Sequence, residues 1–464
     1  MSADPIHLLV LVHGMWGNPG HLSEMHRIIR EHRCQPSSET GPAGERLEVL
    51  LAKTNIEEHT YDGIDWGGER VAEEIDDAVK TLEDGGKKVT RFSITGYSLG
   101  GLVARYVVGI LHQRKFFESV TPVNFNTIAT PHIGLPRYRT VLSSILAYLG
   151  PKLLSRTGEQ FFTTDKWSAQ GRPLLEVMAD PDQIFYQALA IFAHVRIYAN
   201  AVNDVTVPYP TAAIETEDIF VDHVRNGIKF ELDEQYSPVI KSYTRPDTAV
   251  KHKSSSAPLH YRIMKKLSFP LPPALQCKFP YNVVIYAAIP IVLPVLLMLI
   301  ISRLSLASRA SRARVKLLEE DEKSNTKRLV HALAKMELGM ESAMVELIDD
   351  SGTPSTTTSN LAISNPELGL GPPALTKEQT TASASTLHPD AVPPTPAEQQ
   401  VVLTELQLRL VAWLNTLPNL KKELVFIHPV RNSHAVIISR DVKRFEFHKR
   451  GEGVLRHWAD HLTI

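Results

Sequence analysis

Along the first half of the chain, continuous apolar runs alternate with segments whose apolar residues recur every three or four positions. Residues 6–12, "IHLLVLV", predict a strand buried on both faces, and residues 47–54, "LEVLLAKT", predict another. Between 67 and 84, Val71, Ile75, Val79 and Leu82 fall at helical spacing, which predicts an amphipathic helix. "VTRFSI" at 89–94 reads as a strand and "LVARYVVGIL" at 102–111 as a helix. "VNFNTIAT" at 123–130 is a further strand. A mostly helical stretch follows from about 136 to 192, and "HVRIYANA" at 194–201 returns to strand character. Strands and helices alternating in this way predict an α/β fold, a mainly parallel sheet with helices on both faces.

The rhythm degrades beyond 230, which sets the expected boundaries. Residues 1–230 form the first part of a core, and 231–282 a polar, basic connector. Residues 283–301, "VVIYAAIPIVLPVLLMLII", carry no charge and are expected to enter a membrane or lipid droplet as a hairpin. A basic, amphipathic helical region spans 302–349. Residues 350–398 are dense in Ser, Thr and Pro and are expected to be disordered. Order returns over 399–464, where "VVLTELQLRLVAWLNTL" predicts a helix and "LVFIHPV" a strand that contains a packed His428.

Composition narrows the function classes. The 464 residues suffice for a sizeable core, and Lys+Arg 50 against Asp+Glu 51 gives no reason to expect a nucleic-acid partner. Cys34 and Cys277 alone build neither a disulfide framework nor a zinc site; no metal and no cofactor is expected. The amino terminus has no basic region ahead of its apolar run, unlike a secretory signal, so the expected compartment is the cytosol.

The candidate chemistry centres on "TGYSLGG", Thr95 to Gly101, between a predicted strand and a predicted helix. A serine on that tight corner, with Gly96 and Gly100 on either side, is the geometry of an acyl-transfer nucleophile. The alternative is a Gly-rich turn with a capping serine. "VHGMWGNPGHL" ends the first strand in His13-Gly14, with Gly17 close behind, which is how an oxyanion loop is built. Its donors would be the backbone N–H groups of Met15 and Leu99. His13 is expected to hold the loop rather than act as a base.

A Ser-acid-His order along the chain places the acid at a later strand end. Asn203-Asp204 follows the 194–201 strand, and Asp204 is the candidate, against an Asn-Asp turn of no chemical role and against Asp180 and Asp222 as rivals. The base belongs after the last strand, which selects His434 over His428, and over His223, His252 and His260, which have no strand before them.

"LVHGMWGNPGHL", "TGYSLGGLVARY", "IATPHIG", "YANAVNDVTVPYPTA" and "NSHAVIISRD" together resemble the DUF676-type serine esterases of the α/β-hydrolase superfamily found in fungi, and among them the lipid-droplet phospholipases. The resemblance covers about 6–230 and 400–464 and extends to the apolar insert. It implies Ser98 as nucleophile, Asp204 as acid and His434 as base. It also implies release of fatty acids from glycerophospholipids at a droplet or membrane surface. Tyr97 departs from the residue frequent at its position, and would line the site; His132 is given a supporting role.

The insert raises a topological problem. Pro290 and Pro294 disfavour a plain helix, and Lys265, Lys266, Lys278, Arg303, Arg309, Arg312 and Arg314 make both flanks basic. A true span would also separate His434 from Ser98 and Asp204. Monotopic insertion is therefore expected, with the catalytic part facing the cytosol and an acyl lipid as substrate. The same triad would serve a monoacylglycerol or triacylglycerol lipase or a protein acyl-thioesterase. A non-catalytic membrane tether is the alternative from another class.

Overall fold

The computed structural model describes residues 3–35, 39–221, 223, 226–245, 281–320 and 401–464. Its strands are β1 (Asp4–Val12), β2 (Arg46–Leu51), β3 (Lys87–Tyr97), β4 (Thr121–Ile128), β5 (Arg137–Tyr138), β6 (His194–Asn200), β7 (Lys229–Leu232), β8 (Ile240–Thr244), β9 (Val401–Val402) and β10 (Leu420–Val425). Six of them form one sheet in the order β10-β6-β4-β3-β1-β2, with every neighbouring pair parallel. The α/β expectation holds, and its sequence basis is visible in β1. Leu8, Val10 and Val12 join the core on one face, while Leu9 and Leu11 join the core on the other. A strand covered on both sides needs an unbroken apolar run rather than an alternating one.

The helices are α1 (Ser23–Arg33), α2 (Ile64–Asp84), α3 (Leu99–Gln113), α4 (Val141–Leu153), α5 (Ser155–Phe161), α6 (Leu174–Ala179), α7 (Ile184–Ala190), α8 (Tyr209–Ala213), α9 (Tyr281–Glu320), α10 (Glu405–Leu414) and α11 (Glu452–Asp460). Residues of α2, α3, α6, α7 and α10 cover one face of the sheet. Those of α1 and α11, with Val436–Ile438, cover the other. After β1 the chain crosses to β2 on one side; after β3 it crosses to β4 on the other. The loops leaving the carboxyl ends of these two central strands therefore part, and a crevice opens between them.

Three boundaries differ from the sequence expectation. The core does not stop at 230: β7 and β8 form an antiparallel hairpin, and Val239 bridges to Val425 beside β10. The 283–301 hairpin is absent. Residues 281–320 run as one helix through Pro290 and Pro294, because the proline ring fixes a helix-compatible φ and removes single hydrogen bonds without forcing a reversal. β10 stops at Val425, so His428 lies beyond the strand and is exposed rather than packed. The expected helix through 321–349, the disorder of 350–398, and Asp222, His252, His260, Lys265, Lys266, Cys277 and Lys278 fall outside the described residues.

Candidate active site

The crevice between β1 and β3 is filled by the two glycine motifs. Ser98 joins β3 to α3 with φ 56° and ψ −126°, a backbone region that a residue with a Cβ occupies at a cost of about 1–3 kcal/mol. Its surroundings fix it there: Ser98 N–H donates to the Ile128 carbonyl at 2.9 Å, and its own carbonyl accepts from Gly101 N–H and Thr130 Oγ1, both at 3.0 Å. A Cβ on Gly14 would lie 2.7 Å from Ser98 Cβ, and one on Gly100 would collide with the Val12 carbonyl. The turn after β1 and the Ser98 corner can approach this closely only because both positions are glycine.

Leu99 is the first residue of α3, so its N–H has no partner within the helix. Met15 sits in the turn that leaves β1, closed by Gly17 N–H donating to the Gly14 carbonyl at 3.1 Å. His13 is buried with Nδ1 3.1 Å from the Gly14 carbonyl, and burial holds its pKa below the usual imidazole value. It braces the turn, and its Nε2 has no hydrogen-bond partner among the described residues.

His434 lies between Ser98 and Asp204. Its Nδ1–H donates to Asp204 Oδ2 at 3.0 Å, which leaves Nε2 to accept from the Ser98 hydroxyl, also at 3.0 Å. Asp204 is held from all sides. Oδ1 accepts from the N–H groups of Thr206 and Val207 at 3.0 and 2.8 Å, and Oδ2 accepts additionally from Asn200 Nδ2 at 2.9 Å. The loop bearing His434 is tied to the loop bearing Asp204: Ser433 N–H donates to the Asn203 carbonyl at 2.9 Å, and Asn203 Nδ2 to the Ile427 carbonyl at 3.0 Å.

The remaining sequence candidates fall elsewhere. Asp180 pairs with Arg172 at 2.6 Å, and His223 packs edge-on against Phe426. His132 is fully buried, accepts or shares a proton with Thr127 Oγ1 at 2.9 Å, and receives Arg105 Nη1 on its carbonyl, a supporting position. Tyr97 does not open onto the site as expected. Its hydroxyl donates to the His434 carbonyl at 2.9 Å from beneath, and burial drives its pKa up. Asn200, Asn203 and Tyr97 hold the Asp204 and His434 loops in place; nothing in the sequence marks these partners, since the contact from Tyr97 spans 337 residues. Among the described residues no group of three His, Cys, Asp or Glu is arranged to hold a metal ion.

The chain is similar to several curated proteins, two of which follow. "Putative lipase C4A8.10" of Schizosaccharomyces pombe is 30% identical over 250 residues, 50% of this chain and 31% of that protein. "Putative lipase ROG1" of Saccharomyces cerevisiae is 28% identical over 244 residues, 52% of this chain and 33% of that one. The chain thus matches about a third of the length of these relatives. Among solved structures, phospholipase PlaB from Legionella pneumophila is similar over 44% of this chain and 41% of its own, at 13% identity and a TM-score of 0.27, and the esterase LipA from Xanthomonas oryzae at 14% and 0.26 over 45% and 70%. Those two likenesses are too slight to carry an argument. The family model described as "Putative serine esterase (DUF676)" matches residues 2–216, which hold both glycine motifs and Asp204. The matched residues take in five of the six strands of the parallel sheet and the serine at the strand-to-helix corner.

Proposed function

We propose that the chain hydrolyses acyl esters of glycerophospholipids at a membrane or lipid-droplet surface, with Ser98, His434 and Asp204 as its catalytic triad. The observation that carries this reading is the position of His434, 3.0 Å from Ser98 Oγ through one ring nitrogen and 3.0 Å from Asp204 through the other. In the mechanism this supports, Nε2 takes the hydroxyl proton as Oγ attacks the ester carbonyl. The oxyanion is met by the N–H groups of Met15 and Leu99. The tetrahedral intermediate collapses, the alcohol leaves with the proton from Nε2, and an acyl-serine remains. Water then gives its proton to Nε2 and adds to the acyl carbon, and the fatty acid departs as the proton returns to Oγ.

A lipid surface as the place of reaction rests on α9. Ile291–Leu293 and Val295–Ile301 are each more than a third exposed. Removing ten half-exposed aliphatic side chains from water is favourable by on the order of 10 kcal/mol, comparable to the whole stability of a domain. Crossing a bilayer would require residues 246–280 to cross back, since β8 before them and the second half of α9 after them both belong with the core. That segment carries Lys251, Lys253, Arg262, Lys265, Lys266 and Lys278, each expensive in hydrocarbon. The reading is therefore monotopic insertion from the cytosolic side.

The test is fatty-acid release from labelled phospholipid vesicles by wild type, Ser98→Ala and His434→Ala at matched vesicle loading. Both variants should fall at least about a thousandfold. Activity retained by His434→Ala while folded would remove the triad. The same assay on monoacylglycerol and triacylglycerol emulsions decides between a phospholipase and a neutral-lipid lipase.

A further inference from the structure

The second half of α9 lies on the core along a narrow stripe. Ala307, Ser311 and Val315, each about one helical turn from the next, and the adjacent Ser308 are buried, and Ser308 Oγ donates to the Lys152 carbonyl at 3.0 Å. The stripe ends on Asp62, whose side chain is completely buried. Asp62 Oδ1 accepts from Ser311 Oγ at 2.7 Å and from Arg314 Nη2 at 2.9 Å; Oδ2 accepts from Arg70 Nη2 at 2.6 Å. Arg314 Nη2 also donates to the Glu58 carbonyl at 3.0 Å. Two residues of α9 thus hold both ends of the short turn Glu57–Asp62.

The same turn holds the oxyanion loop. Trp16 N–H donates to Thr60 Oγ1 at 3.2 Å, its indole Nε1–H donates to Tyr61 OH at 2.8 Å, and Glu57 N–H donates to the Gly17 carbonyl at 3.0 Å. Trp16 needs this support. Its φ is 52°, a left-handed conformation that a bulky residue keeps only when its neighbours impose it, and its side chain is 53% exposed, so packing alone does not impose it. Trp16 follows Met15 directly. The Trp16 N–H bond to Thr60 fixes the peptide plane just after the Met15 Cα, and the Gly17 N–H bond to the Gly14 carbonyl fixes the plane that carries the Met15 N–H, so the two bonds together hold that donor's direction.

We propose that Asp62 is a positioning residue for the oxyanion donor Met15: α9 clamps Asp62, and the clamped turn holds Trp16 and so Met15 in the productive orientation. This rests on the proposed esterase reading and deepens it. The helix that would enter the lipid is the helix that completes the oxyanion loop. No contact runs from α9 to Ser98, His434 or Asp204 in this path, so loosening the clamp should leave the triad itself in place.

The experiment measures hydrolysis of a water-soluble short-chain ester, p-nitrophenyl butyrate, by the full chain in detergent, so that docking to a lipid surface does not limit the rate. Arg314→Gln with Ser311→Ala should lower kcat about tenfold and leave KM within twofold. Arg314→Lys alone, which keeps one charged donor, should recover most of that loss. Tyr61→Phe, which removes the acceptor of the Trp16 indole, should lower kcat by itself and add little to the double variant, because both act through one turn. Hydrogen exchange of residues 13–20 should quicken in the double variant, with residues 200–207 unchanged. Unchanged kcat, or exchange that quickens everywhere with a lowered Tm, would make the clamp a purely structural contact and overturn the proposal. If the double variant does not fold, Tyr61→Phe with wild-type kcat and wild-type exchange over 13–20 overturns it as well. A wild type no faster than Ser98→Ala would instead mean that the esterase reading has failed, whatever the clamp does.

Discussion

At the scale of single residues, the proposed chemistry stands on hydrogen bonds whose direction is forced. Asp204 accepts four hydrogen bonds, so it cannot turn to offer His434 anything but an acceptor. Asp204→Asn keeps the shape but can place an N–H against Nδ1. That reverses the tautomer and turns Nε2 from an acceptor into a donor. We expect kcat on short-chain esters to fall about 10³- to 10⁴-fold with Tm nearly unchanged; a loss under tenfold would show that Asp204 does not set the tautomer. Ser98, Met15, Leu99, Asp204 and His434 were proposed from the sequence because chain order and strand ends limit where such groups can stand, and the fold brings Ser98, His434 and Asp204 into one hydrogen-bonded line. Tyr97, Asn200 and Trp16 were not, because their roles come from partners that only the fold brings near. Two buried histidines outside the site favour stability that depends on pH. Burial holds His7 at about 3, with Arg91 adding to it, and holds His457 at about 3, with His461 and Arg196 adding. Between about 3 and 6.5 the unfolded chain binds more protons than the folded one at both positions. Stability therefore rises with pH through that window and is lost as pH falls below about 6.5. Asp165 and Asp218, raised to about 6 by burial, act in the opposite direction between about 4 and 6. His457→Gln should shrink the loss of unfolding free energy between pH 7 and 5 by about 2 kcal/mol, read from urea unfolding at each pH. An unchanged slope would mean that His457 is not held neutral.

At the scale of elements, α9 is where the sequence pattern was least sufficient. Its lack of charge over 283–301 marked it as membrane-seeking, and its two prolines suggested a reversal. The helix continues instead because Pro290 and Pro294 lie four residues apart and each removes one main-chain donor, within a run of forty residues otherwise able to sustain a helix. What the pattern could not convey is the division of labour along that helix: one half has a face exposed all round, and the other has a small-residue stripe against the core. The two halves should therefore separate in experiment. Leu293→Asp with Leu297→Asp places two carboxylates in the apolar half, each unfavourable in hydrocarbon by about 2.5–3.5 kcal/mol at the centre of a bilayer. Partition onto phospholipid vesicles should drop by more than a hundredfold in a flotation assay, while kcat on a soluble ester stays within twofold. Vesicle binding that survives both changes would assign the lipid contact to another surface.

At the scale of the whole molecule, Ser98 and His434 are 336 residues apart in sequence, yet the part bearing His434 is built into the core rather than laid on it. β10 pairs with β6 over its whole length, Leu420↔Val195 to Val425↔Asn200, and so completes an edge of the sheet. α11 packs on α1; Trp458 is 1% exposed and donates to Thr95 Oγ1 at 3.2 Å, and Asn124 Nδ2 donates to the Thr463 carbonyl at 2.8 Å. The parallel sheet was legible from the apolar runs. That its last strand lies beyond an apolar insert and a Ser/Thr/Pro-rich stretch followed only from asking where a base could be found. These contacts make a stronger demand than proximity. If 401–464 is a true part of the core, its place is kept by sheet hydrogen bonds and buried apolar surface, and the covalent path through 350–398 is not needed once the chain has folded. A protease site inserted in 350–398 and cut after folding should leave the carboxyl-terminal fragment bound through gel filtration, with kcat on a soluble ester within twofold of the uncut protein. Washing the fragment out in moderate urea should then abolish activity, and adding it back after dilution should restore it. A cut protein that loses its fragment or its activity under native conditions would show instead that the intervening chain holds His434 against Ser98.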